Sequence, residues 1–321
     1  MIDRKRTSEL TEEQTSGGDA TLETAPTRSG FVALIGAPNA GKSTLVNQLV
    51  GTKVSIVTHK VQTTRALVRG IAIRNRTQIV FVDTPGVFQP RRRLDRAMVR
   101  TAWGGAKDAD VVLAIVDAER GVSPDVETIV ERLKETRRPV VLLLNKVDRI
   151  KREKLLALTQ DLSSRVEFER VFMISALTGS GCDDLMNWLA ERLPEGPWYY
   201  PEDQISDLPL RQLAAEITRE KLFLRLHQEI PYASTVETEL WEQKPNGSVR
   251  IEQTIYVERD SQKAIVLGRK GETIKAIGQA ARTEIAEAAD QKVHLFLFVK
   301  VREHWSDDPE RYREMGLDFS S

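Results

Sequence analysis

Nine residues near the amino terminus have the types and the spacing of a polyphosphate site. They follow an apolar run at 31–35 and lead into a stretch at 45–50 that reads as helix. They are Gly36, Ala37, Pro38, Asn39, Ala40, Gly41, Lys42, Ser43 and Thr44. The glycines let backbone N–H groups approach phosphates, and the following helix points its positive end at the same anion. Lys42 offers a charge for the β- and γ-phosphates, and the Ser43 hydroxyl is placed to ligate Mg²⁺. A chance glycine-rich turn is the competing interpretation, and the strand–loop–helix setting counts against it.

Candidate ligands for the same metal ion follow further along the chain. The run 79–82 ends in Asp83, Thr84, Pro85 and Gly86. Asp83 can hold Mg²⁺ through a water molecule, and the Gly86 N–H can reach a γ-phosphate. In the polar stretch before this motif, a threonine can ligate Mg²⁺ only when GTP is bound. We predict Thr64 for this role, with Thr63 as the alternative and a hydroxyl-rich surface loop as the interpretation without function.

Two later motifs have the chemistry that recognises a guanine base. They are Asn145, Lys146 and Asp148 after the run 140–144, and Ser175, Ala176 and Leu177 after the run 171–174. The Asp148 carboxylate can accept both N1–H and N2–H of guanine, a pair that adenine does not offer. The Lys146 stem can cover the face of the base, and the Ala176 N–H can reach guanine O6. Together these residues predict GTP rather than ATP.

Length and composition limit the number of domains, the kinds of ligand site and the location of the protein. The chain has 321 residues, enough for about two domains, and its formal net charge is zero. RNA binding would therefore need a local basic patch. The single cysteine, Cys182, excludes an intramolecular disulfide and a cysteine-rich zinc site. No apolar stretch reaches membrane-spanning length, so we expect a cytoplasmic protein.

The hydrophobic pattern predicts the elements that must position these motifs. Near-continuous apolar runs are typical of parallel strands buried on both faces and flanked by helices. The more polar run 66–73 predicts an antiparallel edge hairpin, and Ser123 predicts a helix cap. After Pro197 the pattern changes to helix, two strands, two helices and a strand. These elements are predicted at 210–226, 235–242, 249–257, 262–267, 272–289 and 293–301.

The order of these motifs, followed by a Gly-x-x-Gly tetrad, resembles the Era family of GTPases over residues 30–305. The stretch 266–278 is similar to the KH motif of that family. Ala40 and Leu267 replace the usual valine and isoleucine, and neither change removes a chemical group. The resemblance implies an α/β P-loop GTPase domain, with a mixed, mostly parallel sheet and helices on both faces, followed by an α+β type II KH domain. The predicted units are a disordered tail 1–28, a G domain 29–196, a linker 197–208, a KH domain 209–306 and a C-terminal tail 307–321.

The tetrad is the predicted RNA site. Gly268 and Gly271 allow close approach of a single strand, and a KH loop of this kind clamps about four nucleotides. Arg269 and Lys270 would pair with phosphates, and Lys275 extends the patch. The resemblance names the target as the 3′ end of 16S rRNA, in assembly of the small (30S) ribosomal subunit and rRNA maturation. It also implies a monomer, with peripheral association at the cytoplasmic face of the cell membrane as a further reading.

The catalytic set is predicted with one group missing. The predicted residues are Asn39, Lys42, Thr64 and Gly86. Ras-like enzymes orient the attacking water with a glutamine that follows their equivalent of the Asp83–Gly86 motif. This chain has Val87 at that position, and a valine side chain can neither donate nor accept a hydrogen bond. Resemblance to GTPases that bind K⁺ makes Asn39 a candidate K⁺ ligand, and a turn residue is the equal alternative. Two functions stay open: a hydrolysing switch that controls RNA docking, and an RNA-binding module that holds GTP as a static ligand.

Overall fold

The computed structural model describes residues 26–90, 92–317 and 319. The predicted disordered tail therefore lies outside the described residues as far as residue 25. Its last residue, Arg28, already opens the first strand, because Arg28 pairs with Thr77 and its guanidinium donates to the carbonyl of Leu193 at 2.7 Å. The folded domain begins at the end of the segment assigned to the tail.

Six strands form the sheet of the first domain. They are β1 (Arg28–Gly36), β2 (Val68–Arg74), β3 (Thr77–Asp83), β4 (Val111–Asp117), β5 (Val140–Asn145) and β6 (Arg170–Ile174). Their order is β2-β3-β1-β4-β5-β6, and β2 is the antiparallel strand of an otherwise parallel sheet. Every residue of β4 is buried, as the apolar runs predicted for a sheet covered on both faces. The mixed, mostly parallel sheet is confirmed.

Five helices cover the two faces of this sheet. They are α1 (Lys42–Val50), α2 (Arg93–Asp108), α3 (Pro124–Leu133), α4 (Arg152–Ser163) and α5 (Cys182–Arg192). Side chains of α1 and α5 belong to one apolar cluster, and those of α2, α3 and α4 belong to the other. The cap of α3 is as predicted, because the Ser123 hydroxyl accepts from the Val126 N–H at 3.4 Å.

The second domain has the predicted KH topology. Its elements are α6 (Leu210–Arg225), β7 (Ser234–Gln243), β8 (Val249–Val257), α7 (Asp260–Leu267), α8 (Glu272–Ala289) and β9 (Val293–Val301), followed by α9 (Pro309–Glu314). Strand β8 lies between β7, which is antiparallel to it, and β9, which is parallel. Within the described ranges, none of the helices combines the length and the apolarity needed to cross a bilayer.

The linker is attached to the edge of the first sheet. The Ile71 N–H donates to the carbonyl of Ile205 at 2.9 Å, so the linker covers the outer strand β2. The buried Gln78 side chain accepts from the backbone N–H groups of Tyr199 and Tyr200 at 2.9 and 3.0 Å. A composition rich in turn residues predicts a linker but not this attachment, which protects the backbone of an edge strand.

The end of the predicted KH domain and the start of the predicted C-terminal tail together join the two domains. Trp305 is 1% exposed, and its indole N–H donates to the carbonyl of Ala233 in the KH domain at 2.9 Å. The same ring belongs to an apolar cluster with Met98 of α2 and with Tyr312 of α9. Trp305, Tyr312 and Leu317 are buried in this cluster and therefore pack between the domains.

Removing this indole should destabilise the protein far more than removing an exposed ring. Trp305→Ala deletes a buried ring and leaves a cavity, so we expect a loss of about 3–5 kcal/mol in the free energy of unfolding. Phe296→Ala is the matched control, since Phe296 is 46% exposed. Guanidinium titrations followed by circular dichroism measure both variants. Equal losses would contradict a structural role for Trp305 between the domains.

Candidate nucleotide site and RNA-binding loop

The phosphate loop between β1 and α1 holds Lys42 in its interior. The ammonium donates to the carbonyls of Gly36 and Ala37 at 2.9 and 3.1 Å. Burial lowers the pKa of Lys42 to about 8, and the nearby charge of Asp83 opposes the shift. Gly41 has φ 103°, and a Cβ there would lie 2.2 Å from the side-chain amide of Asn145. Only glycine fits this position.

The three residues predicted as Mg²⁺ ligands converge beside the loop. The hydroxyl of Ser43 lies 2.9 Å from that of Thr64. Asp83 is fully buried, and its Oδ2 accepts from the hydroxyl of Ser55 at 2.6 Å. Its Oδ1 has no hydrogen-bond partner among the described residues. A buried carboxylate oxygen without a partner next to two hydroxyls fits Mg²⁺, which takes oxygen ligands.

The geometry also separates the two candidate threonines. Thr63 turns away from the phosphate loop, because its hydroxyl donates to the carbonyl of Lys60 at 2.7 Å and lies 2.6 Å from the hydroxyl of Thr58. Thr64 is buried against Ser43. Thr64, and not Thr63, therefore lies beside Ser43 at the candidate metal site.

Burial shifts the pKa of Asp83 as well as that of Lys42. It raises the pKa of the Asp83 carboxyl above its ordinary value, and the Ser55 hydrogen bond opposes that shift. Ser55 was absent from the sequence-based prediction. A serine in a polar, irregular stretch carries no local signal of contact with a strand end 28 residues away.

Asn145 connects the base-recognition motifs to the phosphate loop. Its side-chain N–H donates to the backbone carbonyl of Ala40 at 2.8 Å, and its side-chain oxygen accepts from the Ala176 N–H at 2.9 Å. A cavity of ≈ 340 Å³ lies in front of these contacts. Its lining includes Pro38, Asn39, Lys42, Ser43, Thr64, Gly86, Asp117, Asn145, Lys146, Asp148, Ser175, Ala176 and Leu177. All five motifs thus meet at one cavity, which is large enough to hold a ligand.

Lys146 is held by a residue that the sequence analysis missed. Its ammonium donates to the carbonyl of Asn39 at 2.8 Å and to Oδ2 of Asp117 at 2.6 Å. Asp117 is buried at the end of β4, where it also accepts from the Glu119 N–H at 3.0 Å. The available signal was its place at the carboxyl end of a parallel strand, the edge where ligands of such sheets bind.

The Asp83–Gly86 motif packs directly on the phosphate loop. A Cβ at Gly86 would lie 3.1 Å from Cα of Pro38, and the Val87 N–H donates to the carbonyl of Gly36 at 3.1 Å. The Val87 side chain is buried and apolar. It fills the position after the motif without offering a group that could orient water.

Asn39 reaches the segment that carries Thr64. It adopts a left-handed conformation with φ 64°, and its side-chain amide donates to the carbonyl of His59 at 2.8 Å. This hydrogen bond joins the phosphate loop to residues 52–67, the irregular stretch between α1 and β2. We call this stretch the switch segment.

The switch segment is anchored in the KH domain next to Thr64. The buried Arg65 guanidinium donates to the carbonyls of Ser234 and Tyr232 at 2.9 and 3.3 Å. Its Cζ lies 5.7 Å from the ring centroid of Phe223 and 5.5 Å from that of Trp305. Nothing local to an arginine in a polar loop predicts these contacts, which come from elements far along the chain.

The Gly-x-x-Gly loop lies between α7 and α8 with its cations outward. Gly268, Lys270 and Gly271 have φ values of 75°, 52° and 79°. A Cβ on Gly268 would lie 2.1 Å from the hydroxyl of Thr273, so the turn requires glycine there. Arg269, Lys270 and Lys275 are exposed. Two cations thus stand at the tip of a tight turn, where a phosphate backbone could approach.

A guanine-type P-loop site on a mixed sheet, followed by a KH domain, defines a two-domain GTPase with an RNA-binding module. The 50S ribosome-binding GTPase family model matches residues 31–146, and a KH domain model matches residues 229–306. GTPase Era of Mesorhizobium japonicum is 75% identical over 299 residues, covering 93% of this chain and 96% of that protein. GTPase Era of Sinorhizobium medicae is 72% identical, covering 94% and 97%. The chain belongs to the Era family of GTPases.

Two solved structures have the same architecture. One is Era in complex with MgGDPNP and nucleotides 1506–1542 of 16S ribosomal RNA, at TM-score 0.86 and 39% identity, covering 90% of this chain and 99% of that chain. The other is a single-residue variant of Aquifex aeolicus Era bound to GDP·AlF4⁻, with the same score, identity and coverage. The predicted fold class and the GTPase assignment are confirmed, and the static-ligand alternative is not favoured.

The Asp117–Lys146 pair can be tested by its coupling. Asp117→Asn removes a buried charge-assisted hydrogen bond of about 1.5–3 kcal/mol, so we expect GDP release to accelerate by about tenfold or more. If Asp117 acts through Lys146, adding Lys146→Met should change the rate little beyond either single variant. Stopped-flow release of a fluorescent GDP analogue measures the cycle, with Glu135→Gln, an exposed carboxylate outside the cavity lining, as control. Multiplying effects in the double variant would contradict this role.

Proposed function

We propose that this chain is a GTP-hydrolysing switch that binds the 3′ end of 16S rRNA through its KH domain and acts in 30S subunit assembly and rRNA maturation. The observation that carries the switch is the pair of consecutive residues Thr64 and Arg65. Thr64 contacts Ser43 in the nucleotide site, and Arg65 is buried in the KH domain. A movement of Thr64 at the metal site would therefore displace Arg65 and be transmitted to the KH domain. The RNA target is supported by the relative that was solved with nucleotides 1506–1542 of 16S rRNA.

The proposed roles in the nucleotide site follow from the positions of the side chains. Lys42 neutralises the β- and γ-phosphates, the Gly86 N–H binds the γ-phosphate, and Asp148 selects guanine. Ser43 and Thr64 would hold Mg²⁺ directly, and Asp83 would hold it through water. When bound, Mg²⁺ neutralises charge that develops on the phosphate oxygens. The orphaned Oδ1 of Asp83 supports this assignment, as does the relative solved with MgGDPNP.

Further features of the proposal come from the resemblance and from the RNA target. The protein acts in the cytoplasm, where the small subunit is assembled. The monomeric state and peripheral association with the cell membrane stay predictions.

Hydrolysis without a glutamine is proposed to use K⁺ held near Asn39. The contact of Asn39 with the switch segment supports this position, because an ion there would touch both walls of the phosphate site. GTP turnover should then be faster in K⁺ than in Na⁺ at equal ionic strength. Asn39→Ala should abolish the difference and leave GDP affinity nearly intact, whereas Asn246→Ala in the KH domain should preserve it. Equal turnover in both salts for the parent protein would contradict a role for K⁺ in hydrolysis.

The RNA assignment is tested at the tip of the Gly-x-x-Gly loop. Arg269→Asp with Lys270→Asp places two negative charges where phosphates would lie, so binding of a single-stranded fragment from the 16S rRNA 3′ end should be lost. Each lost phosphate contact should flatten the log–log salt dependence by about 0.7. Intrinsic GTP hydrolysis should hardly change, because the loop is outside the nucleotide site.

A matched control carries the same charge change on the other domain. Lys151→Asp with Arg152→Asp reverses two exposed cations at the start of α4 and should bind the fragment like the parent. Fluorescence anisotropy at two salt concentrations, with GTP analogue and with GDP, measures all three proteins. Unchanged affinity in the loop variant would refute the RNA role of the loop. Equal parent affinity with both nucleotides would refute the switch.

A further inference from the structure

We propose that the exposed face of α2 is a second RNA-binding surface, which contacts the phosphate backbone of 16S rRNA outside its 3′ end. The proposal rests on the proposed function and adds a second contact to it. We call the surface the α2 track. Its members are exposed cations, namely Arg92, Arg96, Arg100 and Lys107 on or next to α2, with Arg132 and Arg138 beside them.

Helical spacing puts the cations of α2 on one side. Arg92, Arg96 and Arg100 follow each other at intervals of four residues, so they are neighbours on one face. The opposite face buries Leu94 and Met98 against the rest of the protein. At 1.5 Å per residue, the stretch from 92 to 107 is about 22 Å long. A helix anchored on one face therefore presents a row of positive charge on the other.

The acid nearest to the start of this row points inward. Asp95 is buried, its Oδ1 accepts from the Gln62 amide at 2.7 Å, and its Oδ2 accepts from the Arg92 N–H at 2.9 Å. Within the part of the chain that the structure describes, no carboxylate lies within ion-pair distance of the Arg92 or Arg96 guanidinium. Both charges remain available to an external partner.

The row continues across the neighbouring helix α3 and the loop that follows it. The Arg132 guanidinium stacks on Trp103 of α2, with Cζ 4.6 Å from the ring centroid. Arg138 donates through Nε to the carbonyl of Lys107 at 3.0 Å. Both contacts fix cations beside the α2 row.

The acids of α3 nearest to these cations are engaged elsewhere. Glu127 pairs with Arg165, and Glu131 pairs with Lys134, both at 2.7 Å. Neither carboxylate therefore neutralises the row.

The charge of the whole protein makes this concentration informative. The formal net charge is zero, so a face with six cations, and the exposed Asp108 as the acid at its far end, is a local excess and not a reflection of a basic protein. Arginine guanidinium groups match phosphate oxygens in a two-pronged geometry. Contacts of this kind position a nucleic acid through its backbone without selecting a sequence. A solvated charged face is the ordinary alternative.

The test uses RNA of two kinds and a charge-reversed track. Arg92→Glu with Arg96→Glu should lower affinity for folded, protein-free 16S rRNA by about tenfold or more and flatten its log–log salt slope by about 0.9 per lost phosphate contact on a duplex. Binding of a short single-stranded fragment from the 3′ end should be unchanged. Arg152→Glu with Lys154→Glu on α4 is the matched control. Arg92→Gln with Arg96→Gln should produce a smaller loss and guards against misfolding by the reversed charges.

The outcomes separate the proposals. Unchanged affinity for 16S rRNA, or an equal loss in the α4 control, would overturn the α2 track. A loss confined to whole 30S particles, with protein-free rRNA bound normally, would assign the surface to a ribosomal protein and also overturn it. If the parent protein failed to bind the short 3′ fragment, the proposed function itself would fall, whatever the track variants did.

Discussion

The structure depends on how one irregular segment is held. The switch segment has neither helix nor strand, so side chains from elsewhere must satisfy its backbone. Asn47 of α1 does so at one end, because its amide oxygen accepts from the N–H groups of Val54 and Ser55 at 2.9 and 3.0 Å. At the other end Arg65 enters the KH domain. The switch segment is held mainly by side chains from other elements. Its conformation therefore depends on both the nucleotide site and the KH domain.

Buried charge gives the nucleotide site its second constraint. Lys42 and Asp83 are both buried away from water. Burial lowers the pKa of Lys42 and raises that of Asp83, so it favours the neutral form of each side chain. A polyphosphate with Mg²⁺ would supply the opposite charges that this desolvation calls for. A ligand that binds only the folded protein also stabilises it. Nucleotide binding should therefore support the local fold around the loop and its chemistry together.

The parallel sheet explains why motifs more than 100 residues apart meet at one cavity. Strands β1, β3, β5 and β6 run in one direction, so the loops at their carboxyl ends share one edge. Asn145 then links three of these loops through two hydrogen bonds. The KH domain has no such convergence in its described part, and its candidate site is a single turn whose glycines allow the required φ angles.

The sequence by itself determined the elements and the motifs, because both are written in local patterns. Apolar runs predicted the strands of the sheet, helical periodicity predicted α6, and residue types at fixed spacing predicted a GTP site and a Gly-x-x-Gly loop. Only the tertiary structure decided which threonine faces Ser43, that Asp117 and Ser55 support the site, and that Arg65 and Trp305 join the domains. These facts depend on contacts between residues far apart in the chain, and no local spacing records which buried partner a polar side chain will meet.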